Sequence, residues 1–457
     1  SMSPLLLKLV DIVGKNHVLV GHFLEQRATS YWDSAPTIAM ALVRPSSTAE
    51  VSQILKICNQ HKQPVVTQGG LTGCVEGAIT TARDIIISLE RMKAIESIDE
   101  IGNTAIVQAG AVLQIVQETV RDKNLTFPLD LGARGSCTIG GNIATNAGGI
   151  NVLRYGMMRN LVLGLETVLA DGTVISSMNQ MLKNNAGYDS KQLFIGSEGT
   201  LGIITRAVIR LFNQPTSCQS AMVALDSFVS VTTLLSHMQK GLAGTLSAFE
   251  VMWGEYFKGV TGANGHIAPI DREYPFYVML EAEGADLEAD KTRFDDLLAV
   301  AFEDKIIVDA VIPNSETQRR ALWNIREEFE PILPAFLYDI SLPIKEMNTY
   351  ISKLMTEVSA FWPDSDCFVL GHIADGNLHL FIRPNIDGGD QHAECDKLVY
   401  MALEGFNGSV SAEHGIGEEK KAWLHTSRSN ADIALMKQLK STLDPKNILN
   451  RDKVFET

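Results

Sequence analysis

Apolar positions recur along this chain with two periods, and the exchange between them predicts alternating strands and helices in its first half. Residues 37–44, 64–67, 85–89 and 104–109 are short apolar runs bounded by turn residues, the pattern of strands. Between the first two, Ser47-Thr48-Ala49-Glu50 forms a capping box ahead of Val51, Ile54, Leu55 and Cys58, which share one helical face. A second helical pattern covers residues 112–123. Residues 161–176 alternate about Asp171-Gly172, a two-residue hairpin signal, and 201–212 reads as a further strand. Beyond Pro215 the pattern lengthens. Helices are predicted from Ser227 and Leu287, with a strand at 276–283 separating them. Ser315-Glu316-Thr317-Gln318 is a second capping box, and the helix it opens places Arg319, Leu322, Trp323 and Arg326 near one face. Neither an internal repeat nor a low-complexity segment interrupts this order.

A length of 457 residues predicts two or three lobes rather than one core. The net charge of −15 disfavours nucleic acid and anionic membrane as partners, because a polyanion is repelled by the summed field. The cysteines (Cys58, Cys74, Cys137, Cys218, Cys367 and Cys395) form no C-x-x-C pair, which argues against iron–sulfur clusters and thiolate zinc and for reduced structural thiols. Lys8 and Asp11 interrupt the apolar start at Leu5, Leu6 and Leu7 before a signal-peptide core forms. No apolar run reaches the roughly 18 residues a membrane helix needs. The expectation is a chain without a transmembrane segment in a cytoplasmic, reducing compartment, with a mitochondrial-matrix-like one also compatible.

Glycine density singles out three places. Residues 130–149 carry Gly132, Gly135, Gly140, Gly141, Gly148 and Gly149 among Thr138, Asn142, Thr145 and Asn146. Glycine loses more backbone entropy on ordering than any other residue, so such density suggests close approach of backbone to a ligand. Gln68-Gly69-Gly70-Leu71-Thr72-Gly73 follows a strand, where exposed amides commonly bind phosphate, and Gly196-Ser197-Glu198-Gly199 precedes another. No G-x-G-x-x-G or Walker A window occurs, which excludes the nicotinamide fingerprint and the P-loop.

Histidines gather later in the chain. In Gly371-His372-Ile373-Ala374-Asp375-Gly376-Asn377-Leu378-His379-Leu380, a tight turn over 374–377 between two strands would set Ile373 against Leu378 and His372 against His379. Two such rings can share a metal ion, and Glu413-His414 can add a carboxylate and a further imidazole. Two histidines and a glutamate leave zinc an open position, as catalysis requires. A pair of histidines at a hairpin is also ordinary on a surface or in a satisfied core.

The segments Pro128-Leu129-Asp130 through Gly149, Arg154-Tyr155-Gly156, Gly187-Tyr188-Asp189, Leu193 to Gly202, Gly371 to His379, Ser411 to Gly417 and Asp444-Pro445-Lys446 carry a resemblance. With the glycine loops, they resemble the vanillyl-alcohol oxidase or p-cresol methylhydroxylase flavoprotein superfamily. Within it the chain looks like the FAD-dependent D-2-hydroxyacid dehydrogenases, the branch of the D-lactate and D-2-hydroxyglutarate enzymes. The resemblance covers nearly the whole chain and implies an α+β fold. An α/β-type FAD-binding domain would occupy residues 1–212, an α+β substrate domain with an antiparallel sheet 213–408, and a C-terminal segment 409–457 would close over the flavin.

Noncovalent FAD is implied, with Gln68, Gly69, Gly70, Leu71, Thr72 and Gly73 at its pyrophosphate. Pro128, Leu129, Asp130, Gly135, Ser136, Gly140, Gly141, Asn142, Thr145, Asn146, Gly148 and Gly149 would line the rest, with Glu198, Gly199, Gly202, Ile203 and Asn450. Leu71 stands where the family commonly has asparagine, and Glu76 where it has glycine, so Glu76 is expected to point outward. A divalent metal, zinc or another such as Mn2+, is implied on His372, His379 and Glu413, with His414 as general base. Arg326 matches the arginine that reads the substrate carboxylate; otherwise it is a surface arginine paired at i,i+4 with Glu330.

Three positions depart from the D-2-hydroxyglutarate members. Those carry threonine one helical turn after the arginine, lysine before the Y-D-x-S-L-P motif, and asparagine two residues past the second histidine. Here these are Glu330, Leu337 and Phe381. Each change removes a polar partner, and Glu330 would repel a distal carboxylate, so D-lactate or a larger monocarboxylic D-2-hydroxy acid is expected over D-2-hydroxyglutarate. Other readings are a D-2-hydroxyglutarate dehydrogenase, a non-redox flavin-fold transferase or lyase, and an inactive FAD-binding module. An electron-transfer flavoprotein, a quinone or a cytochrome would accept the electrons, and the family suggests a homodimer.

Overall fold

The computed structural model describes residues 2–27, 37–69, 80–412, 414–417 and 420–457. Contacts divide the chain into two compact units, one of residues 1–148, 156–214 and 413–457, the other of 149–155 and 215–412. Residues from 413 onward, anticipated as part of a separate closing segment, thus belong to the first unit.

The first unit holds two main sheets among its described residues. One orders Val18–Leu19, Ala41–Val43, Ile85–Ser88 and Val65–Gln68, the last three mutually parallel. Ala41–Val43 and Ile85–Ser88 are buried at every position, the continuous apolar run of a parallel strand covered on both faces. The crossover helix Thr48–Gln60 starts where expected: the Ser47 hydroxyl accepts from the Glu50 amide, and the Glu50 carboxylate accepts from the Ser46 amide. Its face of Val51, Ile54, Leu55 and Cys58 is fully buried. The other sheet is antiparallel, in the order Ile95–Asp99, Thr104–Gln108, Ile203–Arg210, Val162–Val168 and Val174–Ser177. Its Asp171-Gly172 hairpin forms as anticipated, with Gly172 at φ 91° in the left-handed region.

The C-terminal residues are stitched into this unit by polar groups. The buried Lys440 ammonium donates to the carbonyls of Thr200 (2.9 Å) and Leu449 (2.7 Å) and to Asp444 (2.6 Å). Burial lowers its proton affinity, which the Asp444 carboxylate opposes. Asn450 accepts from the Thr67 amide (3.1 Å) and donates to the Glu198 carbonyl (2.8 Å).

The second unit is built on a seven-stranded antiparallel sheet, in the order Asp309–Val311, Ser217–Leu225, Phe276–Gly284, Leu246–Trp253, Asp366–Gly371, Asn377–Arg383 and Phe336–Ser341. Helices Phe228–Leu242 and Leu287–Glu303 occupy the anticipated places. Between them the sequence pattern anticipated one strand, but Leu246–Trp253 and the helix Gly254–Val260 also form. All eight positions of Leu246–Trp253 are buried, so it has no polar face to create an alternation. The core beside it includes Tyr256, Phe257, Trp323 and Tyr277, with Phe257 stacked on Tyr277 at 3.7 Å between centroids.

Among the described residues no helix is long and apolar enough to cross a membrane. Cys58, Cys137, Cys218, Cys367 and Cys395 are free thiols, and burial pushes Cys58 up to about 12, where it is unreactive. Cys218 is exposed, unlike the buried Cys58, Cys137 and Cys395; Cys74 lies outside the described residues.

Candidate active site

In the first unit, the glycine segment presents backbone rather than side chains. Gly132, Gly135, Ser136 and Gly141 are exposed, while Thr138, Gly140 and Asn142 are buried. A Cβ on Gly140 would stand 2.7 Å from the Ala109 Cβ and 3.0 Å from its carbonyl oxygen, so only glycine lets this short helix, Ile139–Ala144, lie on the neighbouring strand end. At Gly69, a Cβ would meet the Thr138 hydroxyl. The anticipated polar ligands also have protein partners. Asn142 donates to the Cys137 sulfur, the Thr145 hydroxyl to the Gly141 carbonyl (3.2 Å), and Asn146 accepts from the Arg159 amide (2.8 Å). What the segment offers a ligand is its bare backbone. Gly70, Leu71, Thr72, Gly73 and Glu76, and with them the pyrophosphate loop, lie outside the described residues.

Glu198 and Asn450 also hold protein rather than facing outward. The Glu198 carboxylate accepts from the amides of Ile416 (2.9 Å) and Gly417 (2.7 Å), and a Cβ on Gly415 would strike it. Its pKa is raised by desolvation, against the pull of these amides and of Lys420. The loop bearing His414, which is half-buried, is thereby wrapped around one carboxyl group.

The second unit concentrates charge in its core. The helix Glu316–Glu327 begins at Ser315, whose hydroxyl accepts from the Gln318 amide (3.1 Å), and it ends at Glu327. Arg319, Trp323 and Arg326 form one stripe, as the spacing anticipated, and each meets a buried acid. Glu281 accepts both forks of Arg319 (2.8 and 2.7 Å) and the Trp323 indole N–H, with the Ser220 hydroxyl at 2.9 Å. Glu250 accepts from Arg326 Nε and Nη2, both at 3.0 Å. Strand register pairs Glu250 with Met279 and Ala248 with Glu281, so both acids stand on one sheet face. The Tyr256 hydroxyl completes the fixing of this helix end by donating to the carbonyls of Ile325 (2.8 Å) and Arg326 (3.1 Å). Arg326 is therefore no surface arginine paired with Glu330. It is 8% exposed, and Glu330 lies beyond the helix in a 3-10 turn with its side chain exposed, so it does not sit one helical turn on.

The histidine hairpin differs in register from the anticipated one. Leu370, not His372, is opposite His379, because residues 373–375 form a 3-10 turn closed by Gly376 at φ 85°. The rings still meet, diagonally, with centroids 5.4 Å apart and planes at 83°. His372 is buried and its Nδ1 lies 2.6 and 2.7 Å from the two Glu250 oxygens. Burial alone would raise the Glu250 pKa, but His372 and Arg326 hold it below the usual carboxylate range. Opposite His379 stands buried Asp339, which accepts from Asn377 (3.2 Å) and from the Ala412 amide (3.2 Å). Ala412 precedes Glu413, which lies outside the described residues; among those described, no group of three or more His, Cys, Asp or Glu is placed to hold a metal ion. Two residues past His379, buried Phe381 packs on Phe329 (4.8 Å between centroids) and faces Leu337 across the strand pair.

The sequence pattern missed Glu250 and Glu281. The available signal was a lone acid inside a nearly uniform apolar run, Leu246-Ser-Ala-Phe-Glu-Val-Met-Trp253, and again in Phe276-Tyr-Val-Met-Leu-Glu281.

Comparison with known proteins supplies the cofactor. Residues 39–177 match the FAD binding domain family and 214–454 the C-terminal domain of FAD linked oxidases. A mitochondrial D-2-hydroxyglutarate dehydrogenase of Bos taurus is 39% identical over 421 residues, 91% of this chain and 77% of its own length. The D-2-hydroxyglutarate dehydrogenase of Xanthomonas citri is 38% identical, covering 94% and 91% of the two chains. A putative mitochondrial D-lactate dehydrogenase of Schizosaccharomyces pombe is 37% identical, covering 89% and 80%. Among solved structures, p-cresol methylhydroxylase with substrate bound has the same fold, with a TM-score of 0.78 at 16% identity over 99% of this chain and 96% of the other. The exposed, side-chain-free backbone at Gly132, Gly135 and Gly141 fits such a cofactor, whose nucleotide and ring edges take hydrogen bonds from amides. Its sequence relatives and family matches show that this chain belongs to the FAD-dependent D-2-hydroxyacid dehydrogenases.

Proposed function

We propose that this chain oxidises a D-2-hydroxy monocarboxylate, D-lactate or a larger apolar homologue, to the 2-oxo acid. The observation that carries the reading is the buried line Arg326, Glu250, His372, in which an arginine and an imidazole share one acid; it supports a role for Arg326 in reading the substrate carboxylate. FAD would supply the acceptor for the C2 hydrogen and its electron pair, and a divalent ion, zinc or manganese, would supply a Lewis acid for the substrate hydroxyl. Arg326 would hold the substrate carboxylate, and His372 and His379, with Glu413, would hold the ion. A carboxylate only accepts hydrogen bonds, so His372 donates from Nδ1 to Glu250, and as a neutral ring it would carry on Nε2 the lone pair of a metal-ligating histidine. His414 would take the hydroxyl proton, a task suited to a neutral imidazole nitrogen.

The apolar contact of Phe381, Phe329 and Leu337 supports a monocarboxylate. D-2-hydroxyglutarate is the competing substrate, favoured by the names of relatives at 38–39% identity. Anaerobic mixing of metal-replete protein with both enantiomers of lactate, 2-hydroxybutyrate, 2-hydroxyisocaproate and 2-hydroxyglutarate decides between them. Fastest bleaching of the flavin by a D-monocarboxylate is the expected result. Fastest bleaching by D-2-hydroxyglutarate overturns the substrate reading, and no bleaching by any of them overturns the reaction.

A further inference from the structure

Glu250 is the one described carboxylate that touches both Arg326 and His372, and its side chain is only 1% exposed. One oxygen serves both partners and the other only the imidazole. Oε1 receives Arg326 Nε and Nη2, while Oε1 and Oε2 together straddle His372 Nδ1 at 2.6 and 2.7 Å. We propose that Glu250 is a positioning residue that sets Arg326 for the substrate carboxylate and His372 for the divalent ion at the same time. This rests on the roles given above to Arg326 and His372 and adds a coupling between them.

Three physical points carry it. First, a carboxylate has no proton to donate, so whenever the ring is neutral it holds the proton on Nδ1 and leaves the lone pair on Nε2, and its two contacts fix the ring plane. Second, binding Nε and Nη2 on one side leaves the Nη1 edge of Arg326 turned away from Glu250, so the acid orients the guanidinium without covering all of it. Third, no neutral side chain can replace it. A glutamine at this position has one carbonyl oxygen and an NH2, and its two donors would face either an arginine N–H or the His372 N–H. An aspartate keeps the charge but is one methylene shorter and cannot reach both partners. The position on a strand buried at all eight residues adds rigidity, since neither neighbour nor backbone has room to compensate.

The test compares the parent with Glu250→Gln and Glu250→Asp, each purified with FAD. Three quantities are read: FAD content and thermal midpoint; retention of Zn2+ against a chromophoric chelator, with no substrate present; and the half-saturating concentration and limiting rate of flavin reduction by the panel acid the parent oxidises fastest. In Glu250→Gln, Zn2+ retention is expected to weaken about 10- to 100-fold, the measured range for lost partners of metal-ligating histidines. Half-saturation is expected to rise at least about tenfold with a smaller change in limiting rate, FAD content holding at the parent level. Glu250→Asp is expected to fall between parent and Glu250→Gln in both. Zn2+ retention and half-saturation within twofold of the parent overturn the proposal, as does movement of only one of the two. Loss of FAD and thermal stability in both variants, with the other readouts falling in proportion, assigns Glu250 a purely structural role and also overturns it. A parent that bleaches its flavin yet retains neither Zn2+ nor Mn2+ instead overturns the metal reading itself, and the shared role with it.

Discussion

The two units of this chain present their chemistry in opposite ways. The first exposes backbone without side chains at Gly132, Gly135 and Gly141, while the neighbouring Asn142, Thr145 and Asn146 bond Cys137, Gly141 and Arg159. The second buries whole charges against one sheet face, Glu250 with Arg326 and His372, and Glu281 with Arg319 and Trp323. The first should therefore be sensitive to added atoms, and the second to lost charges.

His414, whose loop belongs to the first unit, is the sharpest exception to that contrast. His414→Ala is expected to slow flavin reduction by about 10²- to 10⁴-fold while FAD content stays unchanged, measured by anaerobic stopped flow. A parallel loss of FAD would return His414 to the cradle. Next in size, Glu281→Ala strands Arg319 and the Trp323 indole, and breaking a buried pair costs about 3–5 kcal/mol. A lowered urea midpoint with early proteolysis inside residues 215–412 is the expected result, and an unchanged midpoint would show that the buried acid contributes little. In the first unit, Gly140→Ala drives a methyl to 2.7 Å from Ala109 Cβ, an overpacking cost of about 1–3 kcal/mol. Its FAD content should drop, whereas Asn142→Ala nearby should keep FAD; the reverse order breaks the comparison.

Smaller effects refine it. Phe381→Asn, read as the ratio of kcat/KM for D-2-hydroxyglutarate to that for D-lactate, is expected to move about tenfold toward the diacid, the worth of roughly one hydrogen bond. The smallest concerns Glu90, a half-buried acid of the first unit. Burial would raise its pKa, but the Ser88 hydroxyl, Arg27 and Arg44 hold it below the usual value. A depressed carboxylate contributes stability above its unfolded pKa and loses it as pH falls through the folded one. At side-chain exposures of 29% and 36% for Arg27 and Glu90, the pair is worth at most about 1 kcal/mol. The gap in thermal midpoint between parent and Glu90→Gln should accordingly be small at pH 7 and close below roughly pH 4.

Features governed by neighbours a few residues apart were legible in the sequence. The caps at Ser47 and Ser315, the Asp171-Gly172 hairpin and the stripe of Arg319, Trp323 and Arg326 all formed as the spacing anticipated. Features set by distant partners were not. Leu246–Trp253 has no alternation because it is covered on both faces, so the strand holding Glu250 was invisible. The histidine register slipped because a 3-10 turn, which has no strong sequence mark, replaced the tight turn. Glu330 was expected one turn along the helix from Arg326, but that helix stops at Glu327, too early to carry it. Glu198 and Asn450 were visible as polar residues, but their partners, Ile416 and Gly417 for one and Thr67 for the other, lie 218 or more positions away and carry no local trace.

The stitching of the C-terminal residues bears on how the chain is made. The second unit is complete once residue 412 has emerged, and domains fold during synthesis as their residues become available. The first unit begins earlier but finishes last, because Thr67, Glu198 and Thr200 wait for Lys440 and Asn450. The polar partners of Thr67, Glu198 and Thr200 are thus supplied only after residues 440–450 have been made, well after the second unit can close.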